Sequence, residues 1–389
     1  MAVHFSLRGF MVLHYTVSVL EPRQHRALLQ ISTKRAPECK ELTFYLPVWS
    51  PGSYLVREYA RHISRFMVKD AKGVVIPFEK TSKNQWKLDF SKSDQLDFEI
   101  SYEVYCFEMS VRTSFIDEKR AFLHLPTLLM APTDMQCQNP TIEFRFTPLW
   151  SKIHTGLKEV SQKRDEFIFT AIDFDQLIDS PVEIGCHESD GFMHQGVPHH
   201  LVHSGDLREH SRDLKNDIKT IVEHISSWFG SLPYEQYIFM THFFAGGFGG
   251  LEHHNSTALF FDGRMLDLDD DYQNYLALVS HEYFHTWNVK RLRPIELGPF
   301  DYSNENYTRM HWLTEGLTSF IDELVIYRTQ LCSLEAYLKW QVKNLNRYFK
   351  TPGRYEQTIE ESSFDTWIKF YRPDENSHNS GVSYYLKGG

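Results

Sequence analysis

The stretch SHEYFHTWNVKRLRP, residues 280 to 294, sets two histidines four apart with a glutamate directly after the first. On an α-helix, residues four apart fall about 40° from alignment and share one face. His281 and His285 can then aim two imidazoles at one point. Glu282 sits about 100° further round the helix, near enough to reach a water held at that point without being a ligand. This is the HExxH spacing of zinc hydrolases. A pattern this short also arises by chance on an ordinary helix, so its surroundings must decide.

The next predicted helix carries MHWLTEGLTSFIDEL, residues 310 to 324. Glu315 stands there among Trp312, Leu313, Leu317 and Phe320, an unfavourable place for an unpaired charge. As a third ligand it completes a His2Glu set that leaves one position open for water, the usual form of a catalytic zinc site. One Zn2+ per chain is expected, on the chemistry of that donor set. Gly316 leaves room for close helix packing. Asp322, about two turns along the same face, can accept a hydrogen bond from a ligand histidine. A solvated Asp322 fits the sequence equally well.

Upstream lies GGFGGLEHHNS, residues 246 to 256. Glycines that follow a strand let a ligand's backbone come close, which marks Gly249 and Gly250 as substrate-binding candidates. Glu252 follows on or beside that strand. A carboxylate there can bind a free α-amine and disfavour blocked substrates, the mark of an aminopeptidase. The plain alternative is a glycine turn before a surface glutamate.

The rest of the chain agrees with a globular enzyme. Of 389 residues, 42% are hydrophobic and 24% charged, as in soluble domains, and the length allows two or three cores. A formal net charge of -10 argues against a general nucleic-acid or acidic-membrane binder. Five scattered cysteines without a CxxC pair suit a reducing, cytoplasmic setting. No apolar run is long enough to span a bilayer. The opening MAVHFSLRGFMVLHYTVSV lacks the apolar core of a signal peptide.

Two textures divide the chain. Short runs such as LHYTVSVL, RALLQIST, ELTFYLPVW, DFEISYEVYCF and TIEFRFTP are β-branched and aromatic, with turn-formers between them. They predict a β-sandwich-like domain over 1–190. From 191 to 389 a mainly helical domain around a small sheet is expected. Within 205–230, Leu214, Ile218, Ile221, Val222 and Ile225 recur at helical spacing, closed by Gly230; further helices are expected over 271–290, 304–330 and 333–349, and a strand near 235–244. The fold class is thus α+β and multidomain.

Taken together, HEYFHTW, WLTEG and GGLEHHNS resemble the M61 glycyl aminopeptidases, a branch of the gluzincin zinc metallopeptidases. PVWSPGSYLVREYAR (47–61) and ESSFDTWIKFYRPDEN (361–376) are similar to that family too, so the likeness runs from about residue 13 to the end. The wider kinship is to the aminopeptidase N and leukotriene A4 hydrolase group. The resemblance implies a thermolysin-like catalytic domain. It implies His281, His285 and Glu315 as zinc ligands, Glu282 as general base and Glu252 as the α-amine anchor. In YLKG, 385–388, it implies Tyr385 as the oxyanion donor, with Tyr384 adjacent. It further implies peptide substrates with a free N-terminus, glycine or alanine first. This chain departs from the wider group in reading GGLEH where those relatives have GxMEN. Family members continue past YLKG into a helical region and a PDZ domain, so the catalytic domain is expected to be incomplete at its C-terminus. The other readings are a zinc endopeptidase of the thermolysin type and a non-catalytic scaffold.

Overall fold

The computed structural model describes residues 9–161, 163 and 166–389. Residues 1–8, part of the stretch weighed as a signal peptide, lie outside the described residues. The chain forms two units. The first runs to Pro51 and adds Arg57–Cys186 and Tyr302–Asn304; the second holds Gly52–Val56, His187–Asp301 and Glu305–Gly389. A single cut at 190 is therefore corrected. Strand Glu188–His194 pairs along its whole length with Val197–Gly205, which draws it into the second unit. Gly52–Val56 joins that unit because Tyr54 packs on its aromatic side chains.

The first unit is β-rich. Its seven-stranded sheet has the order Lys158–Glu159, Phe167–Thr170, Thr141–Phe146, His14–Val19, Arg26–Lys34, Asp97–Tyr105, Ile63–Asp70. Alternation in the two long strands buries Ala27, Leu29 and Ile31 on one and Ile100, Tyr102 and Val104 on the other. These side chains share a face because Ile31 pairs with Ile100 and Leu29 with Tyr102. A four-stranded sheet built on Glu41–Tyr45 and Gln85–Asp89 lies against that face. Phe44 meets Phe98 at 6.3 Å between ring centres, and Trp86 stacks on Phe66 at 5.2 Å. That arrangement is sandwich-like. All five expected strands are present. Phe78–Ser82 had no readable pattern, since every residue in it is exposed.

The second unit holds a five-stranded sheet in the order Glu188–His194, Val197–Gly205, Tyr237–Phe243, Ser256–Phe261, Phe248–Glu252. Tyr237–Phe243 is central and wholly buried, which explains the apolar run Tyr237–Met240 that opens it. The last strand, Phe248–Glu252, pairs antiparallel with Ser256–Phe261. Helix Leu214–Ser227 starts at Asp213, whose carboxylate accepts from Asn216 N–H, and buries Leu214, Ile218, Ile221, Val222 and Ile225. These meet Tyr275, Leu276 and Val279 of helix Asp269–Phe284 in the core. Three aspartates in the first turn of that helix suit its dipole.

Two helix expectations need correction. The helix expected over 271–290 ends at Phe284, because the chain turns sharply at Val289, whose φ is +116°. The helix expected over 304–330 is regular only from Leu317 to Arg328. It is preceded by one π-helical turn, Trp312–Gly316, which carries Glu315. Such widened turns often occur at functional sites.

Candidate active site

His281 lies in the last turn of helix Asp269–Phe284 and His285 caps its end. Both Nε2 atoms point at Glu315, at 3.5 Å from His281 and 3.4 Å from His285 to the same carboxylate oxygen. Each Nδ1 is already committed. That of His281 lies 2.7 Å from Oδ2 of Asp322, and that of His285 lies 2.8 Å from the carbonyl of Asn288. A carboxylate and a carbonyl only accept, so both Nδ1 atoms donate. In the neutral rings both Nε2 atoms are then lone pairs facing one point.

This donor set fits zinc. Ligand atoms held about 2.0–2.2 Å from a tetrahedral ion lie about 3.4 Å apart, which is the spacing found. The electrostatics agree. Burial alone would lower the His281 pKa, but the Asp322 and Glu315 carboxylates outweigh it and raise it. Burial would raise the Glu315 carboxyl, but His285 and His281 hold it well below the usual carboxylate range. The pocket therefore favours positive charge at the point where the three donors meet.

Glu282 is 5% exposed, and its Oε2 has no hydrogen-bond partner among the described residues. Burial pushes its carboxyl up to about 7; Glu252 and Glu315 act in the same direction, against the two histidines. Gly250 explains how the side chain fits. A Cβ on Gly250 would overlap the Glu282 carboxyl group, so only glycine lets the strand pass so close. At Gly249, with φ +143°, a Cβ would meet nothing within 4 Å. Glu252 ends the same strand, 4% exposed. Its carboxylate, Glu282 and His285 offer polar atoms all within 4.8 Å of one another.

Tyr385 and Tyr384 have different settings. The Tyr385 ring stacks near His281 at 6.2 Å and 24°. Burial, then the Glu315 carboxylate, push its phenol well above the ordinary value, so it keeps its proton. The Tyr384 hydroxyl instead accepts from Thr366 Oγ1 at 2.9 Å. Helix Tyr384–Gly388 docks on the Glu315 turn through two glycines. A Cβ on Gly316 would lie 2.7 Å from Gly388 Cα, and one on Gly388 would lie 2.6 Å from the Trp312 carbonyl.

Asn288 was not foreseen from the sequence. Its carbonyl receives His285, and its side-chain amide donates to Leu313 O, Thr314 O and Thr318 Oγ1. It thus ties one histidine to the turn that carries Glu315. A polar residue just beyond the histidine helix is a weak signal, because its partners lie on another element. His311 was also missed. It is fully buried, 4.0 Å from Tyr54 between ring centres, and burial lowers its pKa to about 4.

The chain is similar over most of its length to the crystal structure of an aminopeptidase N family protein from Idiomarina loihiensis. The two are 34% identical with a TM-score of 0.92, covering 97% of this chain and 65% of that one. An M1 zinc metallopeptidase from Deinococcus radiodurans is 12% identical with a TM-score of 0.54, covering 96% of this chain and 88% of that one. Native yeast LTA4 hydrolase is 12% identical with a TM-score of 0.54, covering 97% and 57%. At that identity the last two share the fold alone. No curated protein matches the chain. Residues 14–186 match the peptidase M61 N-terminal domain, and residues 274–389 match the M61 glycyl aminopeptidase. The chain belongs to the M61 glycyl aminopeptidase family.

Proposed function

We propose that the protein is a zinc-dependent aminopeptidase that removes the first residue of peptides, with glycine or alanine preferred. The observation that carries this is the place of Glu252. A buried carboxylate stands within 4.8 Å of the candidate base Glu282 and the candidate ligand His285. An α-ammonium bound to Glu252 would set the first peptide bond beside those groups, and a blocked amine would leave the carboxylate unmatched.

His281, His285 and Glu315 would hold the zinc. When bound, the ion lowers the pKa of water and polarises the substrate carbonyl. Glu282 takes the proton of the attacking water and later gives it to the leaving amine; its burial beside the metal point suits both transfers. The protonated Tyr385 phenol donates to the oxygen that gains charge as the carbonyl becomes tetrahedral. Phe248–Glu252, the last strand of its sheet, offers backbone groups to an extended peptide, with Gly249 and Gly250 allowing close approach. Asp322 orients His281.

The preference for a small first residue is supported by family membership. A cytoplasmic setting suits five cysteines that form no disulfide. Among the described residues no helix is long and apolar enough to cross a membrane.

The test compares a glycyl peptide with its N-acetylated form, with and without a chelator. Chelator-sensitive cleavage of the free peptide alone is expected. Equal cleavage of both would replace this reading with an endopeptidase. No zinc retained and no cleavage of either peptide would leave the scaffold.

A further inference from the structure

The segment Gly52–Val56 belongs to the catalytic unit, although residues on both sides of it belong to the first. It is held there by side chains of the catalytic unit itself. Tyr54 is 2% exposed, with its ring 4.0 Å from His311 and 5.7 Å from Trp367. The Tyr371 hydroxyl donates to the Gly52 carbonyl at 3.3 Å.

Gly52 occupies this position for two reasons. Its φ is +81°, a conformation that favours glycine. A Cβ on it would also lie 2.5 and 2.7 Å from the two carboxylate oxygens of Glu252, and 2.7 Å from Leu251 Cδ1. The main chain at Gly52 therefore lies directly on the Glu252 carboxylate. Glu282 and His285 stand within 4.8 Å of the same carboxylate.

We infer that Gly52 is a positioning residue for the α-amine anchor: its bare main chain fixes the Glu252 carboxylate where it meets a substrate ammonium. This rests on the aminopeptidase reading above. A glutamate has three rotatable bonds, and a carboxylate free to swing must lose that freedom each time a substrate binds. One held in place does not, so the amine is bound more tightly and in one position. The atoms that a Cβ on Gly52 would meet first all belong to Leu251 and Glu252. Gly52 acts through Glu252 alone.

The test uses two zinc-binding probes that differ only in the amine, glycine hydroxamate and acetohydroxamate, titrated into the zinc-loaded protein. Their affinity ratio reports the amine contact. The wild type is expected to prefer glycine hydroxamate. Gly52→Ala is expected to cut that preference about tenfold or more, with acetohydroxamate affinity held within about twofold. In an Glu252→Ala background, the same change at Gly52 is expected to have no further effect on glycine hydroxamate. An unchanged preference, an equal weakening of both probes, or an additive loss in the Glu252→Ala background would each overturn the inference. If Gly52→Ala does not fold, Tyr371→Phe carries the test by freeing the Gly52 carbonyl, and an unchanged preference there overturns it. A wild type without any preference would instead overturn the amine-anchor reading itself.

Discussion

Asp322 holds His281 from behind: its Oδ2 lies 2.7 Å from Nδ1, on the side of the ring opposite the Nε2 that faces Glu315. This hydrogen bond fixes the tautomer and the ring's direction together. Asp322→Ala is expected to weaken zinc binding about 10- to 100-fold, since outer partners of ligand histidines have effects of that size. Competition with a chelator of known affinity measures it. Unchanged zinc affinity would show that packing alone orients His281.

Glu282 has a different dependence. It is buried beside the proposed ligand set, yet its Oε2 meets no described partner. Glu282→Gln keeps the shape and removes the base. Turnover is expected to fall about 10²- to 10⁴-fold with zinc retained. Metal analysis and kcat on a glycyl peptide check both halves, and near-normal turnover would remove Glu282 from the mechanism. Gly250→Ala should act on the same group, because the new methyl group would occupy the space of Glu282 Oε1.

In the proposed mechanism the two tyrosines divide catalysis from support. Tyr385→Phe is expected to lower kcat about 10²- to 10³-fold, the usual loss of one oxyanion donor, with little effect on stability. Tyr384→Phe breaks only the Thr366 hydrogen bond and is expected to cost about 1 kcal/mol of stability while leaving most of kcat. The reverse pattern would move the donor role to Tyr384. Gly316→Ala is expected to lower kcat as well, because its methyl would strike Gly388 and displace the whole turn.

The parts of this site that lie within one element were legible in the sequence. His281, Glu282 and His285 are set by helical spacing, and Glu315 was marked by its apolar neighbours. Five strands of the first unit were legible, several by their alternation, and Tyr237–Phe243 was legible as a strand, whereas the eight-residue strand Ile63–Asp70 was not read. What could not be read depends on contacts between elements distant in sequence. The π-helical turn that aims Glu315 depends on partners such as Asn288 and Gly388. Gly52 meets Glu252 two hundred residues away in sequence. Pro51-Gly52 is a turn-forming pair, and nothing local shows what such a turn covers.

Histidines held neutral by burial make the stability of the second unit depend on pH, His199 and His311 among them. His199 and His311 are both buried, and burial holds each pKa at about 4. His199 donates from Nδ1 to the Val197 carbonyl, and its Nε2 lies 2.9 Å from the Tyr234 hydroxyl, so it fits as a neutral ring. In the unfolded chain a histidine titrates near 6.5. Between pH 6.5 and 4 the unfolded state therefore binds more protons than the folded one. Their contribution to stability is fully present above pH 6.5 and is lost as pH falls towards 4, against the opposite contribution of Glu282, whose carboxyl burial raises to about 7. Each histidine is expected to contribute about 2 to 3 kcal/mol to the loss between pH 7 and 4.5. Denaturant unfolding of chelator-treated protein at the two values measures it, free of any effect from zinc release. His199→Phe lowers stability at pH 7 by breaking the Tyr234 contact, but its further loss at pH 4.5 should be smaller by that amount. A variant with the wild-type dependence would show that His199 is protonated within the fold and that the acid sensitivity lies elsewhere.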